Sequence, residues 1–554
     1  MKRTLTFFIA ALLLSACADP QPVTITVIGV NDVHGQLIES GRRGGLVTIS
    51  GYVNAARAAR EGDGGSLLLI DAGDMWQGTL DSNLSEGAAM VDAYNALGFT
   101  AATIGNHEFD FGPVGPAATP SEPGHDPRGA LKARTAQANF PVLAANLVDT
   151  DSNELVDWEN VQPTALIDVQ GIKIGIIGLM TERALQRTAA LNVGGLRVAP
   201  LAPAIVKYGT NLRAAGADII IVTAHAGGEC TEFTDPMDLS SCTQADEIFR
   251  VARDLPAGLV DIIIAGHVHQ AIAHFVNDIA ITSSYSNTIA FGRVDFSVNP
   301  KTREVLKRTI FPPHLAIPGE QYEGQIVTPD PAVLAIAERA AQQAKERRES
   351  PLGIRLETPF TLRGNPESSL GNLFTDALWQ SLDVDIVIHN VSGGLRTGLT
   401  AGELRFGDVY QLSPFENRLV IFEMSGADLR KVVAEQAHLG RRSMGFSGMV
   451  VETDCSNLDM DVRMVLANGN DVADDDTVRV AVNDYIATGG DDILTNVMPD
   501  GGYAIDQSAP LTRDVFVDWL TAKGGSIHAD DYQSYETPKW TRPDVLDPAC
   551  RLPN

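Results

Sequence analysis

Short runs of Val, Ile and Leu recur through the first half of the chain at Val23–Val30, Leu67–Ile70, Ile172–Gly178, Ile219–Thr223 and Ile262–Ala265. The runs are continuous rather than alternating. A strand with one wet face alternates apolar and polar positions, whereas a continuous run has both faces covered. Helical stretches separate the runs, so the pattern predicts a layered α/β domain with buried strands. Periodicity alone does not order those strands.

Proline and glycine punctuate the pattern. The segment from Phe111 to Pro141 holds Pro113, Pro116, Pro120, Pro123 and Pro127 and predicts a surface insertion. Pro312 to Pro318 predicts a break. Pro331 to Ser350 is Ala-rich, ends in Lys345-Glu346-Arg347-Arg348-Glu349, and predicts one helix connecting two cores. At 554 residues the chain is too long for one ordinary core. The expected division is a first domain over 23–317, a linker helix within 318–350, a second domain over 351–547 and a tail over 548–554.

The N-terminus is a targeting segment rather than part of the fold. Lys2 and Arg3 precede an apolar stretch, Thr4 to Leu14, that is too short to span a bilayer. Leu14-Ser15-Ala16-Cys17 then resembles a bacterial lipobox. That resemblance implies removal of residues 1–16, lipidation of Cys17, and a tether over 17–22 that holds an exported protein at the cell envelope. Ala18 rather than Asp follows Cys17, which by analogy favours the outer membrane if there are two.

Export changes how the five cysteines read. Besides Cys17 there are Cys230, Cys242, Cys455 and Cys550, and an oxidising compartment lets them pair. Four cysteines allow three pairings. Proximity and domain membership favour Cys230 with Cys242 and Cys455 with Cys550. The formal net charge of −28 makes nucleic acid a poor partner. It does not exclude a small phosphorylated substrate, because metal charge outweighs the global field inside a cleft.

Candidate chemistry falls at the ends of the apolar runs. Val30 leads into Asn31-Asp32-Val33-His34-Gly35, Ile70 into Asp71-Ala72-Gly73-Asp74, and Ile104 into Gly105-Asn106-His107-Glu108-Phe109-Asp110. Thr223 leads into Ala224-His225, and Ala265 into Gly266-His267-Val268-His269. Ligands of open parallel sheets bind beyond the carboxyl ends of the strands. Any one of these clusters alone reads as a turn. Five at five strand ends predict a metal centre.

The order D-x-H, G-D, G-N-H-E-x-D, H, G-H-x-H resembles the calcineurin-like metallophosphoesterases, and the chain from Val23 to Asp547 resembles their 5'-nucleotidase branch. The resemblance implies a four-layer α/β/β/α sandwich followed by an α/β substrate-binding domain. It implies two divalent ions, with Asp32, His34, Asp74 and His269 on one, Asp74, Asn106, His225 and His267 on the other, and Asp74 shared. Imidazole and carboxylate donors without thiolate suit Zn, Mn, Fe or Co. Two ions about 3.5–4 Å apart activate a water and neutralise phosphoryl oxygens. His107, oriented by Asp110, would assist the transition state or the leaving group.

The second domain carries substrate identity in the same resemblance. Glu367 to Leu373 resembles its opening segment. Ser392-Gly393-Gly394-Leu395-Arg396 resembles the loop whose Arg contacts phosphate, and Arg363 falls near a second such Arg. Leu412 to Asn417 offers Phe415 as one base platform, with Asn417 beside it. Asn483 to Asp491 offers Tyr485 as the other platform and Asp491 for the ribose. Tyr485 stands where Phe is usual, and Glu416 and Asp492 stand where Gly is common. The expected activity is hydrolysis of nucleoside 5'-phosphates, with UDP-sugars and 2',3'-cyclic nucleotides as further candidate substrates. The alternatives are a thiosulfate-pathway sulfohydrolase of the same fold and a non-catalytic surface lipoprotein. The sequence leaves oligomeric state, metal identity and base preference open.

Overall fold

The computed structural model describes residues 21–552 except 42, 116, 121, 364–366, 439–443, 457, 500–501, 507–508, 534–537 and 542–549. The leader, Cys17 and Pro116 therefore lie outside the described residues.

The five apolar runs all form strands, in two sheets. The first sheet has seven strands in the order Val305–Leu315, Ala290–Val298, Val23–Val30, Ser66–Asp71, Ala101–Thr103, Val142–Leu143, Val161–Gln162. The second has six, in the order Ala271–Val276, Ile279–Ser284, Ile262–Ala265, Ile219–His225, Ile172–Met180, Thr164–Val169. Their central strands are parallel; antiparallel strands lie at both edges of the second sheet and at one edge of the first, whose other edge, Val142–Leu143 with Val161–Gln162, is parallel.

Alternate residues of each run serve different layers, which explains why the runs are continuous. Ile25, Val27, Leu68, Ile70, Ile174, Ile176, Ile219, Ile221, Ile262 and Ile264 meet between the sheets. Ile28 and Leu69 face the helices Gly45–Asp63 and Ala88–Leu97. Ile177, Ile220 and Ile263 face Leu201–Ala214 and Glu247–Asp254 on the far side. The result is helix, sheet, sheet, helix. Each such side chain, fully buried, stabilises the fold by roughly 1.5–3 kcal/mol.

The break expected at Pro312 to Pro318 is not where the pattern placed its start. Pro312 and Pro313 lie inside the strand Val305–Leu315. That strand is at the sheet's edge, where one row of N–H groups has no partner strand and proline is tolerated. The segment Phe111 to Pro141 includes a helix, Gly129–Gln137.

The helix Pro331–Arg348 starts at Asp330, whose carboxylate accepts from the backbone N–H of Ala332 and Val333. Val333, Ala337 and Ala340 join the first domain's core, while Ala344 joins a core of the second half. Leu80 enters that second core too, and Arg348 bonds Asp81 at 2.5 Å. Beyond it, a four-stranded sheet runs Leu419–Ser425, Thr477–Asn483, Ile386–Asn390, Met444–Ser447. Helices Ser369–Ser381 and Gly426–His438 contribute to the hydrophobic cores of this half. Cys230–Cys242 and Cys455–Cys550 are both disulfides. Among the described residues no helix is long and apolar enough to cross a membrane.

Candidate metal centre and active site

The parallel strands end on one rim, and the rim gathers the expected side chains. Asp32, His34 and His269 form one close group, and Asp32, Asp74 and His225 another. His34 Nε2 lies 3.1 Å from His269 Nε2, and His269 Nε2 lies 3.4 Å from Asp32 Oδ1. His225 Nε2 lies 3.1 Å from Asp74 Oδ2 and 3.0 Å from Asn106 Oδ1, and His267 Nδ1 lies 3.0 Å from Asn106 Oδ1. Asp74 Oδ2 is also 3.9 Å from His34 Nε2, so this carboxylate spans the two sides of the centre. Asp32 belongs to both close groups, lying near Asp74 and His225 as well as His34 and His269.

The backbone aims these groups. Asp32, His34, Asp74, His267 and His269 all have positive φ, between 49° and 78°. Residues other than glycine avoid that region, and it persists where the surroundings over-determine it. Here Asp32 N–H donates to Gly73 O at 3.0 Å, His34 N–H to Asp74 O at 2.9 Å, and His267 N–H to the Asp32 carboxylate. Glu108, fully buried, accepts from the N–H groups of Asp74, Met75 and Gly105 and pins two strand ends together. Gly105 has no room for a side chain, because a Cβ there would collide with the Asp74 carboxylate.

Two of the imidazoles are oriented through Nδ1. His34 Nδ1 donates to Gln77 O at 2.9 Å and His225 Nδ1 to Ala72 O at 2.8 Å. A carbonyl only accepts, so Nδ1 carries the proton and Nε2 points into the centre. Burial and the Arg396 guanidinium hold His34 well below its usual range, and burial and His225 bring His267 down to about 3. Although burial alone would raise it, His269 brings Asp32 down to about 2. Against its own burial, His225 is pushed up to about 10 by Asp74. A proton there stands in for a cation's charge. Imidazoles, carboxylates and one carboxamide oxygen, all buried or half-buried, are a donor set that fits divalent cations.

Beside the centre, His107 Nδ1 bonds Asp110 Oδ2 at 2.6 Å, and Thr188 Oγ1 donates to Asp110 Oδ1 at 2.7 Å. Burial alone would lower it, but Asp110 holds His107 above the usual imidazole range. His107 and Asp110 both line a cavity of about 740 Å³ between the two halves of the chain. The insertion contributes Phe111, Gly115, Ala118 and Thr119 to its wall.

The second half supplies Arg396, Phe415, Asn417, Tyr485 and Asp491 to the same cavity. Arg396 Nη2 donates to His34 Nε2 at 3.0 Å, and its guanidinium lies 5.6 Å from the Phe415 ring centre. Phe415 stacks on His107 at 5.7 Å. Asn417 donates its amide to Asp484 at 2.7 Å. Tyr485 OH approaches Asp491 Oδ1 at 3.4 Å, and Asp491 pairs with Arg187. Arg363 is the exception. It is exposed, its carbonyl accepts from Thr361 Oγ1 at 2.8 Å, and it does not line the cavity. Thr361 N–H donates to Ser369 Oγ at 3.1 Å, and Ser368 Oγ donates to Thr361 O at 2.8 Å.

Sequence reasoning missed several participants. Gln77 orients His34, Glu108 ties strand ends, Arg187 and Thr188 brace the site, and Asn390 donates to Asp491 at 2.8 Å. Glu108 was within reach, since it falls inside the G-N-H-E-x-D cluster. Nothing local marks the others.

The family model described as calcineurin-like phosphoesterase matches residues 25–271, and the one described as 5'-nucleotidase, C-terminal domain, matches residues 349–497. A cell wall protein of Listeria monocytogenes is 26% identical, over 89% of this chain and 68% of its own length. A 5'-nucleotidase of Vibrio cholerae is 25% identical, over 84% of this chain and 85% of its own. The crystal structure of a 5'-nucleotidase precursor from Thermus thermophilus shares the fold at 23% identity, with a TM-score of 0.69 over 91% of this chain and 97% of that one. Calcineurin-like phosphoesterases use a dinuclear divalent metal centre, and the rim described above offers the donors for one. The chain belongs to the 5'-nucleotidase family, a calcineurin-like phosphoesterase domain joined to a 5'-nucleotidase C-terminal domain, and is a metal-dependent phosphoric monoester hydrolase.

Proposed function

We propose that this hydrolase converts nucleoside 5'-monophosphates to nucleoside and phosphate. The observation that carries this reading is one continuous cavity that runs from Asp74, Asn106 and His267 to Phe415, Tyr485 and Asp491. In this reading Asp32, His34 and His269 hold one divalent ion, Asn106, His225 and His267 the other, and Asp74 is shared. When bound, the ions activate a water and neutralise charge on the phosphoryl oxygens. Arg396 adds a fixed cation facing the phosphate. His107, kept protonated by Asp110, donates toward the leaving oxygen. Phe415 and Tyr485 hold the base and Asp491 the ribose. UDP-sugars and 2',3'-cyclic nucleotides extend the candidate substrates.

The two rings provide the test. Base–aromatic stacking is worth about 1–3 kcal/mol by alanine substitution. Phe415→Ala and Tyr485→Ala are expected to raise KM for AMP by about 5- to 150-fold. Turnover of p-nitrophenyl phosphate, which has no ribose and a smaller ring, changes much less. The decisive quantity is the ratio of kcat/KM for the two substrates, since a folding defect lowers both. An unchanged ratio in both variants would remove the nucleotide and leave room for the sulfohydrolase alternative, which needs no base platforms.

The same reading places the protein at the envelope, held by lipid on Cys17. Cys17→Ser is expected to release it from the membrane fraction with activity intact. Recovery of the unlipidated protein with membranes would contradict the anchor.

A further inference from the structure

We propose that Arg187 and Thr188 are positioning residues that tie the substrate side of the cavity to the reacting side. The idea rests on the hydrolytic assignment of the metal centre, and only its comparison substrate rests on the nucleotide. Arg187 closes the short turn Ala184–Arg187. Its guanidinium forms an ion pair with Asp491 of the second half, whose other carboxylate oxygen accepts from Asn390. Its own carbonyl oxygen accepts from Asn106 Nδ2 at 2.9 Å. The next residue, Thr188, donates to Asp110 at 2.7 Å. Behind the turn, Thr181 N–H donates to the carbonyl of His225 at 2.9 Å, and Ala184 N–H donates to Thr181 O.

Each bond constrains a different part of the chemistry. A carboxamide has two nearly isosteric orientations, and the wrong one would aim an NH₂ group at a cation. Accepting the Asn106 amide protons at Arg187 O leaves Oδ1 facing His225 and His267. Holding Asp110 by a hydroxyl fixes the carboxylate that aims His107. Neither bond is made by the Arg187 side chain, yet both depend on where the turn sits. The ion pair with Asp491 is what fastens the turn to the opposite wall. A group that binds Asp491 therefore acts, through Arg187, on a proposed ligand and on the proposed proton donor together. Partners so linked are expected to be non-additive.

The experiment uses the full metal-loaded enzyme with Arg187→Ala, Arg187→Lys, Asp491→Asn and the Arg187→Ala/Asp491→Asn pair. Turnover is measured with p-nitrophenyl phosphate and with AMP, and visible spectra are recorded after Co²⁺ loading. The expected result is a fall of about tenfold or more in kcat on p-nitrophenyl phosphate for Arg187→Ala and for Asp491→Asn. The double variant is expected to be no worse than the poorer single one, Arg187→Lys to recover part of the loss, and the Co²⁺ band to shift in both single variants. Asp491→Asn keeps the test open should Arg187→Ala fold poorly. Unchanged kcat on p-nitrophenyl phosphate, an effect confined to KM for AMP, or fully additive losses would each overturn the proposal. Failure to hydrolyse AMP at all would sink the nucleotide reading alone, because the other substrate decides this one.

Discussion

Asp74→Asn is expected to leave less than about a thousandth of wild-type activity and to reduce metal content at both positions. Asp74 Oδ2 approaches His225 and His34 from between them, and Asp74 Oδ1 also accepts from His107 N–H at 2.8 Å. Loss of its charge therefore weakens both sides of the centre and loosens the base of the His107 turn. Asn is the better replacement than Ala. It keeps the shape and tolerates the residue's φ of 59°, so that backbone strain does not masquerade as a lost ligand. Metal analysis and phosphate release on the same preparation decide the matter. Two ions retained with normal turnover would refute the role given to Asp74.

His107→Ala is expected to keep both metals and to lower kcat by about 10²- to 10⁴-fold, the span of positioned proton transfer. His107 Nδ1 is taken by Asp110, and its ring packs against Phe415 and beside His34. No hydrogen bond places its nitrogens among the ligand donors. The substitution should therefore separate chemistry from metal binding, the reverse of the Asp74 result. Loss of metal in the purified variant would move His107 into the ligand set and contradict the assignment.

Much of this was legible in the chain. The strands were, because two buried faces demand continuous apolar residues, and the rim was, because polar clusters followed those strands one after another. The antiparallel strands Ala290–Val298 and Val305–Leu315 were harder. The second carries two prolines that only an edge position tolerates. Arg363 was placed by its neighbourhood in a motif, which does not fix where a long side chain ends; it is exposed and off the cavity wall. Arg187 and Asp491 stand 304 positions apart and meet only because the halves fold against each other. Gln77 acts through its carbonyl, a group every residue has, so no residue type could announce it.

The left-handed backbone at five of the proposed ligands has a consequence for the resting protein. Each such residue costs of order 1 kcal/mol relative to relaxed backbone, and crowded carboxylates and lone pairs add repulsion. A bound cation would offset that repulsion, so metal and folded rim would stabilise each other by mass action. Without its ions the rim would carry that tension uncompensated. Metal supply is thus expected to set the stability of the catalytic edge, and a rise in Tm on adding the divalent ion would report it.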